Sequence, residues 1–83
     1  NFAAYNDRAI AYGAKGDSDR AIKDFDQVVK LDPNNAVALN NRGVAYRNKG
    51  QADRAIADFD SAIKLDSKYA VALYNRGTTH YDK

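Results

Sequence analysis

Apolar and small residues recur along the chain at helical spacing. Leu39, Gly43 and Tyr46 stand at i, i+4 and i+7, which places them on one face of an α-helix. A second stripe with the same period follows a short break and consists of Ala55, Ile56, Phe59, Ala62 and Ile63. The pattern predicts two amphipathic helices of about 14 residues, each with one buried face.

Helix-breaking residues recur at fixed places between these stripes. Gly16 and Gly50 stand between the two helices of a unit, and segments 32–35 and 66–68, rich in turn-forming residues, stand between units. We therefore expect a helix-turn-helix unit that occurs more than once.

The chain repeats itself with a period of 34 residues. Residues 2–35 and 36–69 align without a gap and are identical at 17 of 34 positions. A third copy begins at Ala70, and residues 70–77 differ from residues 36–43 at a single position. The sequence predicts an all-α domain of five helices: repeats 2–35 and 36–69, followed by a partial repeat, 70–83, that forms a capping helix.

The last segment departs from the repeat after Gly77. Thr78, Thr79 and His80 stand where the middle unit has Val44, Ala45 and Tyr46. Because repeat arrays need polar terminal helices, we expect this helix to have a solvated outer side.

Composition excludes several classes of protein. The 83 residues contain no cysteine, so no disulfide framework or cysteine-zinc site stabilises the chain. Lysine and arginine number 13 against 11 acidic residues, and the two signs alternate, which argues against nucleic-acid or membrane binding. There is no signal-like or bilayer-length apolar run, so we expect a soluble chain, and the absence of methionine suggests a fragment of a longer protein.

The residues of catalysis are also missing from the pattern. No glycine-rich phosphate loop and no nucleophile with a neighbouring base occurs. His80 has no histidine or cysteine partner and is interpreted as a surface residue. We expect no enzyme activity, no metal and no cofactor.

Charged residues of opposite sign alternate along the second helix of each unit. Their i, i+4 spacing suggests weak pairs on a solvated outer face. These residues are Asp19, Lys23, Asp26, Lys30, Arg54, Asp58, Asp60 and Lys64.

Small residues occur where two helices of one unit must approach closely. We expect Ala9 to face Ala21 and Gly43 to face Ala55, with an aromatic residue one turn further on. A glycine inside a helix is unfavourable relative to alanine by about 0.5–1 kcal/mol, so we expect close contact within the hairpin at Gly43 and also at Gly77.

These positions together resemble the tetratricopeptide repeat family, whose 34-residue unit has a set pattern of large apolar, glycine, tyrosine, alanine, phenylalanine and proline residues. The resemblance covers essentially the whole chain. The runs at 41–43 and 53–60 are similar to bacterial members of the family. The matching residues are Tyr5, Tyr12, Ala21, Phe25, Pro33, Leu39, Gly43, Tyr46, Ala55, Phe59, Leu73 and Gly77.

The sequence departs from the family pattern at three equivalent positions. Arg8, Arg42 and Arg76 stand where the family usually has leucine, while Ser67 and His80 replace a proline and a tyrosine. The arginines either form an ion-pair ladder to acidic residues such as Asp24 and Asp58, or lay their alkyl stems on the hairpin seam with the charged heads in water. Because exposed ion pairs contribute little, we favour the second interpretation, by which replacing Arg42 with leucine leaves stability nearly unchanged.

The resemblance implies a right-handed α-solenoid of antiparallel hairpins that binds a protein or peptide in a concave groove lined by the first helices. One recognition mode of the family, the clamp for acidic C-terminal peptides of chaperones, needs basic residues in the groove. At the clamp positions only Asn41 fits, while Asn6, Ile10, Val71 and Asn75 stand at the others, which argues against that mode. The groove residues that the resemblance implies are Asn6, Asp7, Ile10, Gly13, Asn40, Asn41, Val44, Arg47, Asn48, Tyr74, Asn75, Thr78 and Tyr81.

A second recognition mode uses one asparagine per hairpin, since an amide both donates to and accepts from a peptide backbone. Asn41 and Asn75 match that spacing, with Asp7 at the corresponding place in the first unit, while Tyr74 and Tyr81 offer apolar contact area. The hypothesis is that the groove captures an extended segment through its backbone, the alternative being that these asparagines only face water.

A different class of function stays open, in which the chain is a self-assembly unit. Exposed ends of the array around Phe2, Tyr5, Leu73 and Tyr81 would then stack between chains, or a hairpin would be exchanged. The family resemblance is compatible with a cytoplasmic adaptor, with a periplasmic one as the alternative.

Overall fold

Five helices make up the computed structural model, which describes the backbone of residues 2–82 and the side chains of residues 6–82. They are α1 (Phe2–Ala14), α2 (Ser18–Leu31), α3 (Ala36–Asn48), α4 (Ala52–Leu65) and α5 (Ala70–Asp82). Each helix packs on the next, and α3 also touches α1 and α5. The five predicted helices and the all-α repeat fold are confirmed.

The turn inside each hairpin depends on a glycine. Gly16 and Gly50 have φ angles of 81° and 83°, a left-handed conformation that closes a helix at little cost only when no Cβ is present. The same two hydrogen bonds form at both turns: the amide of Gly16 donates to the Gly13 carbonyl and that of Asp17 to the Tyr12 carbonyl, 3.0 and 2.9 Å. These are the bonds of a Schellman motif, so the breakers identified in the sequence do end the first helices.

Side-chain caps begin two of the helices. The Asp17 carboxylate accepts from the backbone amide of Arg20 at the start of α2, and the Asn35 side chain accepts from the amide of Ala38 at the start of α3. Each bond satisfies a backbone donor that the helix itself leaves without a partner.

The core is built largely from small residues packed around two phenylalanines. One cluster joins Ala9, Ala21, Phe25 and Ala45 from α1, α2 and α3. The other joins Leu39, Ala62 and Ala72 from α3, α4 and α5. Both clusters cross from one repeat into the next, so neither hairpin completes its core alone.

Gly43 makes a close contact, but not the one that its spacing suggested. A Cβ on Gly43 would lie 2.6 Å from Cε1 of Phe59, so the ring of Phe59 and not Ala55 is what requires a glycine here. The expectation for Gly77 is wrong: nothing lies within 4 Å of a Cβ built there, because no second helix packs on that side of α5 within the described residues.

The three arginines form ion pairs, so the interpretation that left their heads in water is wrong. Arg42 donates through Nε and Nη2 to the two carboxylate oxygens of Asp58, at 2.8 Å each, and through Nη1 to Asp26 at 2.9 Å. Arg8 donates in the same forked way to Asp24, at 2.7 Å for both bonds. Forked, charge-assisted bonds of this kind are among the stronger polar contacts in proteins.

The partners of these arginines lie 16 residues before or after them. Asp58 follows Arg42 by 16 positions within its hairpin, and Asp26 precedes it by 16 in the previous repeat. Arg76 likewise donates to Asp60, which precedes it by 16, at 2.8 Å. The arginines therefore connect consecutive repeats as well as the two helices of one hairpin.

The outer face of the second helices is less solvated than predicted. Asp58 is only 6% exposed and Asp24 only 5%, and each carboxylate accepts the forked bonds of an arginine. Asp26 and Asp60 reach across to the arginine of the following repeat, and Asp19 pairs with Lys49 at 2.6 Å. The acidic residues on these helices thus hold neighbouring elements together.

The terminal helix α5 is polar on its outer side, but not at all three altered positions. His80 is exposed, as expected. The expectation is wrong for Thr79, which is fully buried at the position equivalent to Ala45. Its hydroxyl donates to the Asn75 carbonyl at 2.6 Å. That bond satisfies a hydroxyl which would otherwise be buried without a partner.

Within the part of the chain that the structure describes, no helix is both long and apolar enough to cross a bilayer.

Candidate binding groove

A cleft lies between the first helices of the two repeats. Its volume is about 280 Å³, with α1 and α3 as walls and Phe25 of α2 at its floor. None of the lining residues carries a charge. The lining consists of Ala9, Ile10, Gly13, Ala14, Phe25, Asn41, Val44, Ala45 and Asn48.

Four of the groove residues that the sequence predicts meet in this cleft: Ile10 from α1 and Asn41, Val44 and Asn48 from α3. Gly13, which the resemblance also placed in the groove, lines it as well. The adjacent Asp7 is exposed on α1 but is not part of the lining.

Asn40 lies elsewhere than expected. It is almost fully buried, and its Oδ1 accepts a hydrogen bond from Nδ2 of Asn75 at 3.1 Å. Asn40 therefore joins α3 to α5 instead of facing the groove. The bond also occupies one donor of Asn75.

Asn6 and Asn41 stand one repeat earlier than Asn40 and Asn75, yet they are not bonded to each other. The Oδ1 atom of Asn6 is buried without a hydrogen-bond partner. The Asn41 side chain has no hydrogen bond to any described residue, although it lines the cleft. Among the described residues, Asn41 thus differs from Asn75 in that its amide forms no hydrogen bond.

Arg47, another predicted groove residue, forms an ion pair with the end of α5. Its Nε and Nη2 atoms donate to Oδ2 of Asp82 at 2.9 and 2.6 Å. The guanidinium is therefore already neutralised by this chain, although it remains partly exposed.

The groove residues predicted on α5 form a separate surface from the cleft. Tyr74 and Tyr81 are 72% and 91% exposed, and neither lines the space between α1 and α3. The Thr78 hydroxyl donates to the Tyr74 carbonyl at 2.7 Å, a bond within the helix.

Sequence reasoning missed the floor of the cleft. Phe25 and Ala9 were expected only as hairpin packing residues and Ala45 was given no role, but these three side chains also form the apolar base of the cleft. The sequence did contain a signal for the cleft, because Ala9 and Ala45 are too small to fill the space between two first helices.

Within residues 6–82, no group of three or more histidine, aspartate or glutamate side chains comes together as metal ligands would. The arrangement suits the contact of an apolar or amide-rich segment with a shallow cleft.

The family model described as Tetratricopeptide repeat matches residues 6–70 of the sequence. The chain belongs to the tetratricopeptide repeat family. No curated protein matches the sequence.

Solved tetratricopeptide repeat domains share the fold closely. The Sgt2 domain from Aspergillus fumigatus has a TM-score of 0.94 at 28% identity, over 98% of this chain and 54% of that one. The second domain of Spaghetti (RPAP3), bound to the HSP90 peptide SRMEEVD, has a TM-score of 0.92 at 30% identity, over 96% and 74%. The chain therefore spans about half the length of the Sgt2 domain.

A human neighbour also contains a bound peptide. The second tetratricopeptide repeat domain of human RPAP3, in complex with the HSP70 peptide SGPTIEEVD, has a TM-score of 0.86 at 32% identity, over 90% of this chain and 62% of that one. Both RPAP3 domains are thus bound to chaperone peptides.

Proposed function

We propose that this chain is a protein-interaction module that holds an extended peptide segment in the cleft between α1 and α3. The observation that carries the proposal is the uncharged lining of that cleft, to which two asparagines and two other predicted groove residues contribute. Neighbours of the same fold bind chaperone peptides, which supports a peptide as the ligand class.

The preferred segment is neutral instead of acidic. Both neighbour peptides end in the acidic sequence EEVD. In this chain Ile10 and Val71 stand at two of the positions where the acidic-peptide clamp needs basic residues, and both are about half exposed. A carboxylate in the cleft would lose its water without gaining a cationic partner.

Asn41 supplies the directional contact of this proposal. Its amide lines the cleft and has no partner in the described chain, so it is able to donate to and accept from a peptide backbone. Asn75 contributes less, because one of its donors is held by Asn40. Of the asparagines that the sequence suggested, one per hairpin, Asn41 is thus the principal contact in this proposal.

Selection of peptides from a random displayed library against this chain tests the proposal. We expect selected peptides to be enriched in uncharged residues and to bind Asn41→Ala about 3–10-fold more weakly, the usual loss for one neutral hydrogen bond. Asn75→Ala serves as the matched control and should lower the affinity less. Equal binding to native and Asn41→Ala chains would remove the role given to Asn41.

A second arm uses the peptide SRMEEVD as a defined acidic probe. We expect negligible binding to the native chain and a gain in affinity when Ile10→Lys and Val71→Lys are combined, since both side chains are exposed enough to accept lysine. Isothermal titration calorimetry measures both. Tight binding of SRMEEVD by the native chain would contradict the preference for neutral segments.

Self-association is a second candidate function, favoured by the exposure of Leu73 and Tyr81 at one end of the array. The side chains of Phe2 and Tyr5, named for the other end, lie outside the described residues. Light scattering over a concentration series separates the two functions, because a chain that stays monomeric supports the groove.

A further inference from the structure

Arg47 is the one basic residue among the groove residues that the sequence predicts. It lies in the last turn of α3, one position before Asn48, which lines the cleft. Among the predicted groove residues, only Arg47 could give an acidic ligand a cationic partner. What Arg47 already binds therefore bears on which ligands the groove accepts.

The guanidinium of Arg47 is held by an acid of this chain. Its Nε and Nη2 atoms both donate to a single oxygen of Asp82, Oδ2, at 2.9 and 2.6 Å. The other oxygen of that carboxylate, Oδ1, accepts no hydrogen bond from the described residues. Asp82 thus occupies Arg47 as the carboxylate of an acidic peptide would.

The contact with Asp82 is more exposed than the equivalent contact of Arg42. Arg42 binds both oxygens of Asp58, and those two side chains are only 20% and 9% exposed. The side chains of Arg47 and Asp82 are 31% and 48% exposed. Because exposed pairs add little to folding stability, a carboxylate brought by a ligand can replace Asp82 without loss of the fold.

Polar cross-links also distinguish the two halves of the groove. The partners in the Arg47–Asp82 and Asn40–Asn75 contacts are each 35 residues apart, and both contacts join α3 to α5. Gly13 stands one repeat before Arg47, so α1 has no side chain at that place to make the same link to α3. The open cleft lies on the α1 side, and the only predicted basic groove residue is tied to α5.

We propose that Asp82 is a specificity-determining residue, which occupies the groove arginine and thereby excludes acidic segments. This inference rests on the proposed binding of peptides in the groove and names a residue that sets which peptides bind. An acidic segment has to displace Asp82 before Arg47 can bind it, and it meets the negative charge of Asp82 as it approaches. A neutral segment needs no such exchange.

The peptide SRMEEVD is the acidic probe for this proposal. It is titrated into the isotope-labelled chain and followed by NMR, which measures weak affinities. At low salt the Asp82→Asn chain should bind it at least about threefold more tightly than the native chain does, which is within the strength of one exposed ion pair. The Nε–H resonance of Arg47 should shift with the added peptide in that variant.

Asp60→Asn is the matched control. Asp60 is an exposed acid that pairs with Arg76 at 2.8 Å, so this substitution removes the same charge and also breaks one exposed pair. Asp60 lies on α4, a second helix, and does not line the cleft. The affinity of the Asp60→Asn chain for SRMEEVD should stay close to the native value.

A double variant identifies the cationic partner of the peptide. Arg47→Gln combined with Asp82→Asn should bind SRMEEVD no more tightly than the native chain does, because no guanidinium is left to receive the carboxylate. Circular dichroism checks that each variant remains helical.

Three results would overturn the proposal. The first is an unchanged affinity of the Asp82→Asn chain for SRMEEVD. The second is an equal gain in the Asp60→Asn chain, which would mean that only the net charge matters. The third is a gain that survives Arg47→Gln, because Asp82 would then act without Arg47.

Neutral peptides from the displayed library separate this inference from the proposed function. They should bind the native and Asp82→Asn chains equally well, and a gain as large as that for SRMEEVD would count against a role in specificity. A library that yields no neutral binder would remove the proposed function, whereas the SRMEEVD titrations would still decide the role of Asp82.

Discussion

Helices α3 and α5 begin with nearly the same eight residues, yet these residues lie in different surroundings. In α3 the leucine and the glycine of this run are covered by α4, while in α5 the same residues are open. The arginine that precedes the glycine makes three hydrogen bonds in α3 and one in α5. The same residue type therefore contributes differently to stability, depending on which helix packs beside it.

The comparison also explains why equivalent positions are buried to different degrees on α3 and α5. Each repeat packs only on its neighbours, so a position gains burial on the sides where a neighbour exists. α3 has neighbours from both the first repeat and the last helix. Equivalent substitutions in α3 and α5 should accordingly change the free energy of unfolding by different amounts, and at the glycine position with opposite sign.

The largest expected difference is at the arginines. Arg42→Leu leaves the buried carboxylate of Asp58 without its forked partner and should lower the free energy of unfolding by about 2–4 kcal/mol. Arg76→Leu breaks one exposed pair and should cost less than about 1 kcal/mol. Urea unfolding of the two variants checks this, and equal small effects would restore the view that the arginine heads simply face water.

The glycines should respond in opposite directions. Gly43→Ala forces the methyl group against the buried ring of Phe59 and should destabilise the chain by about 1–3 kcal/mol. Gly77→Ala meets nothing and should stabilise it by about 0.5–1 kcal/mol through helix propensity. Thermal melts of both variants test the contrast, which fails if the two changes have the same sign.

The smallest expected effect is a pH dependence of the stability that comes from Asp24 in the first hairpin. The forked hydrogen bonds from Arg8 hold the pKa of the Asp24 carboxyl below its ordinary value. Its contribution to stability is therefore complete above the unfolded-state pKa near 3.8 and is lost as the pH falls through the lower folded pKa. We expect Asp24→Asn to be about 1 kcal/mol less stable than the native chain at pH 7, with the gap narrowing below pH 4.

Unfolding of that variant by urea at pH 7 and at acid pH gives the measurement. Asp7→Asn, at an exposed acid on α1 that forms no ion pair among the described residues, is the matched control. A gap between native and Asp24→Asn chains that stays constant at acid pH would show that the Arg8 pair contributes nothing through the carboxylate charge.

The fold was within reach of the sequence because its signals are local. Glycines at positions 16 and 50 end helices through their own backbone conformation, and the 34-residue period fixes how many hairpins there are. The apolar stripe on α4 was also predicted correctly, since Ala55, Phe59 and Ala62 are all fully buried. Each of these depends on residues a few positions apart.

The candidate groove was less predictable, because it depends on which side of a first helix each amide faces. Asn40 and Asn41 are consecutive and chemically identical, yet one is buried against Asn75 and the other lines the cleft. A rotation of about 100° per residue separates their directions, and only the placement of the neighbouring helices turns that rotation into burial or exposure.

The sequence by itself determined the helices, their breaks and the repeating stripe of alanine, glycine and phenylalanine, since these follow from backbone preference and local periodicity. Only the tertiary structure decided what the arginines do, because their partners lie 16 residues away on other helices and in part in another repeat. It also decided that Gly43 is packed and Gly77 open. A residue in this array is buried only where a second helix packs on its face, and no helix among residues 2–82 packs on the outer face of α5.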